Sequence, residues 1–182
     1  MADWLLLRLP RNPQAQATWI LADARGNAIS APMTGPLEQA RQRAAGRHVC
    51  VLVPGTDVLL TEPELPVKAG AKLQQVVPYA LEEQLAEDID ELHFAIGRRN
   101  TDAPTTPVAV VALSLMDEWT NTLKAAGLVP EAMYVDSDLL PVNPGHAVAL
   151  LEDDVVVVRP PVGATISMPS APASRARHAA SP

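Results

Sequence analysis

The clearest periodic pattern in the chain runs from Lys72 to Phe94, KLQQVVPYALEEQLAEDIDELHF. Leu73, Val76, Val77, Ala80, Leu81, Gln84 and Leu85 recur at i, i+3, i+4 and i+7, the intervals that set side chains on one face of a helix. Pro78 lies inside this stripe and removes one helical donor, so a bend is expected near Gln74 to Val77. Shorter apolar runs bounded by turn residues predict strands before it. Trp4 to Leu9 is one, and Thr18 to Ala22 is expected to pair with Asn27 to Ala31 across the turn Asp23-Ala24-Arg25-Gly26. Gly35-Pro36 opens a helix over Leu37 to Ala45, with Gly46 just past its end. Arg47 to Val53 is apolar at nearly every position, as a central strand covered on both faces would be. Asp57 to Glu62 continues extended.

Beyond the amphipathic segment the pattern keeps alternating. Leu92 to Gly97 predicts a strand, Asn100 to Pro107 a loop, and Val108 to Leu113 a second fully apolar strand. Ser114 is placed to cap a helix over Met116 to Ala126, which Gly127 closes, and Glu131 to Val135 is a further strand. Residues 1–141 therefore predict an α/β region, a mixed sheet with helices on its faces. Ala147 to Leu151 and Val155 to Arg159 form a hairpin around the solvated loop Glu152-Asp153-Asp154, so residues 142–159 open a second lobe. A lone two-stranded hairpin is marginal in water, and its free edges favour pairing, including with a second copy as a homodimer. From Pro160 to Pro182 the chain is rich in Pro, Ala and Ser, and this tail is expected to be disordered.

Composition narrows the classes. The 182 residues are 48% hydrophobic, enough for a sizeable core, while a net charge of −7 and a pI near 5.0 leave no basic stripe for nucleic acid. The single cysteine, Cys50, sits in an apolar strand and permits no disulfide framework, which fits a reducing compartment. Asp3 and the apolar run of only Trp4 to Leu7 do not make a signal peptide. No window approaches the roughly 18 to 20 apolar residues that span a bilayer.

The acids are unevenly placed. Glu82, Glu83, Glu87, Asp88, Asp90 and Glu91 fall within ten residues with no Lys or Arg among them. Such a block concentrates negative potential and opposes the dipole of a preceding helix. It is either a solvated rim or a surface for a basic partner. These six residues are the candidate partner-binding set.

Catalytic patterns are absent. Neither G-x-x-x-x-G-K-[ST] nor G-x-G-x-x-G occurs, and the turn Val53-Pro54-Gly55-Thr56-Asp57 offers one glycine where phosphate cradles need several. His48, His93, His146 and His178 are scattered, without metal-ligand spacing. Ser114 and Ser137 lack a nucleophile-elbow setting, and Asp136-Ser137-Asp138 is better read as a turn or cap than as a metal site. No catalytic residue, cofactor or metal is assigned.

The segment Leu65-Pro66, then Lys72 through Ala95, closely resembles the signature region of the type II secretion system protein L family. The strand ending Val53-Pro54-Gly55-Thr56-Asp57-Val58, the helix exit Gly127-Leu128-Val129-Pro130 and the Asp136 to Leu140 segment agree with it, so the resemblance covers roughly Trp4 to Arg159. It implies a cytoplasmic domain of actin-like, RNase H-like architecture at the cytoplasmic face of the inner membrane. That domain would be a non-catalytic scaffold recruiting the secretion ATPase, protein E, through its N-terminal domain, with protein M and protein F as further partners. Family members continue through a completed second lobe, a transmembrane helix and a periplasmic domain, whereas this chain is expected to stop within the second lobe. The alternative is an actin-like nucleotide-dependent phosphotransferase acting on a small molecule. The resemblance argues against it, because such enzymes carry Asp-x-Gly after the first strand of each lobe. Here Leu9-Pro10-Arg11-Asn12 and Glu152-Asp153-Asp154 stand instead.

Overall fold

The computed structural model describes residues 2–65, 71–98, 104–152 and 155–170. Strands β1 (Trp4–Arg8), β2 (Ala17–Ala22) and β3 (Met33–Gly35) form an antiparallel ribbon, and β4 (His48–Val53) and β8 (Ala132–Val135) add to it in parallel with β1. The sheet order is β3-β2-β1-β4-β8. The period-two rule fixes which residues go inward: Leu5 opposes Leu21 and Val49, Leu7 opposes Trp19 and Val51, and Val53 opposes Val135. These residues share one face and are all buried. Two helices cover it, α1 (Leu37–Ala44) through Ala40 and α3 (Leu113–Ala125) through Trp119 and Leu123. Both helices of this sheet lie on the same side. On the other side Leu6, Ile20 and Leu52 stay half-buried, with Cys50 buried between them. The central place expected for Arg47 to Val53 holds, since β4 sits between β1 and β8.

The N-terminal ribbon differs from the expected pairing. Asn27 to Ala31 makes one bridge, Ala22 to Ala28, and the strand opposite Ala17, Thr18 and Trp19 is Met33–Gly35. Backbone bonds from Asp23 to Asn27 and from Ile29 to Leu21 persist there, and side chains supply the rest. The Asp23 carboxylate accepts the amides of Arg25 and Asn27, and Ser30 Oγ accepts the amide of Leu21. Helix α3 also starts earlier than expected, at Leu113. Ala112 occupies its cap position, so Ser114 lies in the first turn and caps nothing.

A second, antiparallel sheet has the order β5-β7-β6, from β5 (Leu59–Thr61), β7 (Val108–Ala112) and β6 (Leu92–Ile96). Helix α2 (Ala71–Leu81) packs on it through Leu73, Val77 and Leu81, at i, i+4 and i+8, against Leu65, Val108 and Val110. The buried stripe is narrower than the sequence pattern, because Ala80 and Gln84 are exposed. Burying each of these large side chains is worth about 1.5–3 kcal/mol.

The third sheet is β11-β10-β9, made of β9 (Val148–Leu151), β10 (Val155–Arg159) and β11 (Ile166–Pro169). The expected hairpin is therefore three-stranded. Ile166–Pro169, placed by sequence in a disordered tail, pairs antiparallel with β10. Asp153, Asp154 and residues 171–182 of the expected loop and tail lie outside the described residues.

Candidate partner-binding surface

Helix α2 ends at Leu81, whose φ of −104° and ψ of −11° begin a 3-10 turn over Glu82–Gln84. The acidic block is thus a connection between α2 and β6, not the rim of a continuing helix. A second 3-10 turn, Ile89–Glu91, follows, and Asp88 caps it by accepting the Asp90 amide at 3.1 Å. Leu85 and Leu92 are half-buried against the α2 core and pin the connection at both ends. Glu82, Glu83, Glu87, Asp88, Asp90 and Glu91 are all exposed. Among the described residues none of them is ion-paired. Glu87, Asp88, Asp90 and Glu91 lie beyond the last turn of α2, so they oppose its dipole less than a helical placement would.

A second polar constellation forms where the parallel strands end. β1, β4 and β8 run the same way, so Arg8, Gly55 and Asp136 meet beyond their carboxyl ends, the edge where open α/β sheets place ligands. Arg8 Nε donates to Asp136 Oδ2 at 2.8 Å, and both Arg8 Nη atoms donate to the Glu152 carboxylate at 2.7 Å. The other oxygen of Asp136 accepts the Gly55 amide at 2.8 Å. Arg159 adds a further tie by donating to the Leu140 carbonyl at 3.0 Å and to the Asp138 side chain at 3.2 Å. Hydrogen bonding to Glu152 raises the Arg8 guanidinium above its ordinary value, against the opposing effect of burial. The same contact lowers the Glu152 carboxyl. Burial pushes the nearby Asp57 carboxyl up, with Arg11 opposing.

The sequence reading missed this cluster. Glu152 was expected in a solvated loop, but it closes a bidentate pair with a residue 144 positions away. Asp136 does begin a 3-10 turn, as a turn reading requires, yet its carboxylate is spent on Arg8 and Gly55. Among the described residues no three His, Cys, Asp or Glu side chains are gathered for a metal. Only the strand ends could have pointed to the cluster, as three polar residues at the exits of three apolar runs.

The family model described as "Type II secretion system (T2SS), protein L" matches residues 5–182. The chain belongs to the type II secretion system protein L family. It is 35% identical over 163 residues to the protein L of Pectobacterium carotovorum subsp. carotovorum, covering 87% of this chain and 38% of that relative. With the protein L of Dickeya chrysanthemi it shares 34% identity over 140 residues, covering 75% of this chain and 35% of the relative. The chain thus spans little more than a third of the length of these curated relatives. Among solved structures it is similar to the cytoplasmic domain of EpsL, an inner-membrane component of the type II secretion system of Vibrio cholerae. The TM-score is 0.72 at 27% identity, over 91% of this chain and 71% of that one. The PilM–PilN type IV pilus biogenesis complex shares the fold at a TM-score of 0.62 and 14% identity, covering 91% of this chain and 61% of that chain. The fold is the α/β, actin-like and RNase H-like one, a mixed sheet flanked by helices. Among the described residues no helix is long and apolar enough to cross a membrane.

Proposed function

We propose that this protein L family member is a non-catalytic scaffold of type II secretion that recruits the secretion ATPase, protein E, to the inner-membrane platform from its cytoplasmic face. One observation carries the reading: six exposed carboxylates stand together without a described counter-ion on the α2–β6 connection. A surface built to be solvated gains from interleaved Lys. This one keeps a single sign, which steers a basic partner and sets register more than it adds affinity. Proteins M and F are the remaining partners this reading assigns.

Titration of the chain with the N-terminal domain of the secretion ATPase tests the reading. Saturable binding that weakens as salt is raised from 50 to about 300 mM is expected, since exposed charges are screened within about 10 Å at 0.1 M. Absence of binding, or binding indifferent to salt, would overturn it.

A further inference from the structure

The acidic connection borders a groove. Helix α2 stops at Leu81 and covers the Val108 and Val110 end of the second sheet, leaving the other end open. Leu59 opposes Val110 and Leu92 opposes Ala112 in the antiparallel register, so these four lie on one sheet face and make the floor. Leu85 and Ala86 form one wall, and the turn after β4 forms the other. The space holds about 400 Å³, the size of a small ligand site or of a few peptide side chains. Within that floor Leu59 is the open position, 48% exposed, while Leu92 and Ala112 are half-buried and Val110 is buried under α2.

The charged residues lining the groove are both acids, and the one cation acting on them, Arg11 beside Asp57, lies outside the lining. Glu87 stands on one side and Asp57 on the other, and no Lys or Arg lines the groove. Ser167 of β11 also lines it, with a buried Oγ that lacks a hydrogen-bond partner among the described residues. An apolar floor below two carboxylates and a spare hydroxyl suits a long side chain with an aliphatic stem and a cationic head. A second copy of this chain would bring net negative charge to a negative rim, so a different, basic partner fits better.

Resting on the recruitment reading above, we propose that this groove seats a short segment of the secretion ATPase that carries a lysine or arginine beside apolar residues. The stem of that residue lies over Leu59 and Leu92, and its head meets Glu87 and Asp57. The remaining acids of the connection then act at longer range, steering the partner in.

The test titrates the full chain with the ATPase's N-terminal domain and compares three variants. Ala86→Trp fills the groove from an exposed position, Glu87→Gln removes one rim charge without changing shape, and the double change Glu82→Lys, Glu83→Lys alters charge outside the groove. The expected result is at least a tenfold loss for Ala86→Trp, a threefold or greater loss with a shallower salt dependence for Glu87→Gln, and a loss of threefold or less for the double change. Wild-type affinity in both Ala86→Trp and Glu87→Gln, with the double change weakened, would overturn the groove and leave recruitment standing. No binding by the unmodified chain would overturn recruitment and the groove's occupant together. Should Ala86→Trp lose its thermal transition, Glu87→Gln and Asp57→Asn decide, because both keep the side-chain volume.

Discussion

Arg8 and Glu152 face each other in a bidentate ion pair, two hydrogen bonds of 2.7 Å that bind the first strand of the chain to the end of β9. With Asp136 as the third member, the guanidinium joins the first sheet to the third. Both partners keep some solvent contact, at 40% and 29% side-chain exposure, so the pair is worth about 1 kcal/mol once screening is allowed for. Its pH dependence has a defined sign. The folded-state Glu152 carboxyl is lowered, so its stabilisation is present above the ordinary carboxyl range and is lost as pH falls through the lowered value. Thermal unfolding followed between pH 7 and pH 3 is expected to show a smaller acid-induced loss in Glu152→Gln than in the parent. Equal losses would contradict the role of the pair.

Gly55 is held by space, not by an unusual backbone angle. A Cβ there would lie 2.3 Å from Ser137 Oγ and 2.8 Å from Ser167 Oγ, with the Gly55 amide fixed on Asp136. Gly55→Ala should cost about 1–3 kcal/mol by overpacking this junction. Denaturant unfolding measures it, and the companion change Ser137→Ala in the Gly55→Ala background should recover part of the loss. An unchanged midpoint in Gly55→Ala would show that the junction can spread at no cost.

The two features had different visibility in the sequence. Strands β1, β4 and β7 were legible because a sheet core imposes apolar runs, and α2 was legible because burial against a sheet selects Leu73, Val77 and Leu81 at helical spacing. The end of α2 was not, since Glu82 and Glu83 are good helix formers and only packing decides where the helix leaves the sheet. The six acids were visible as a run. Their grouping with Asp57 around a groove was not, because that depends on β5 and β6 flanking β7. The Arg8, Asp136 and Glu152 cluster joins residues up to 144 positions apart, and no local pattern encodes such a pairing.

The same cluster bears on nucleotide binding. In the crevice beyond the strand ends, the Gly55 amide that could meet a phosphate donates to Asp136, and the Arg8 guanidinium is taken up by Asp136 and Glu152. Calorimetry with Mg-ATP is therefore expected to give no saturable heat up to millimolar nucleotide. Saturable binding in the micromolar range would favour the phosphotransferase alternative.

Charge reversal at the acidic connection separates recognition from folding. Glu83, Glu87 and Asp88 are exposed, and the one structural role among them is the Asp88 cap of a single 3-10 turn. Changing all three to Lys should lower affinity for the ATPase's N-terminal domain at least tenfold while moving the thermal midpoint by no more than a few degrees. Wild-type affinity in this variant would remove the acids from the interface.

The third sheet predicts self-association. Leu151 opposes Val156, which in turn opposes Met168, and Val158 opposes both Ala149 and Ile166, so these six share one face. None is charged. Val155 and Val157 point to the opposite, buried side, while Leu151, Ile166 and Met168 remain 75%, 54% and 46% exposed. A contiguous apolar sheet face of this kind is a site for pairing with another surface. Sedimentation velocity across a tenfold to hundredfold concentration range is expected to show a reversible homodimer, weakened by Leu151→Lys or Ile166→Lys, with far-ultraviolet circular dichroism unchanged. A parent chain that sediments as a monomer throughout would show that this face tolerates water by itself.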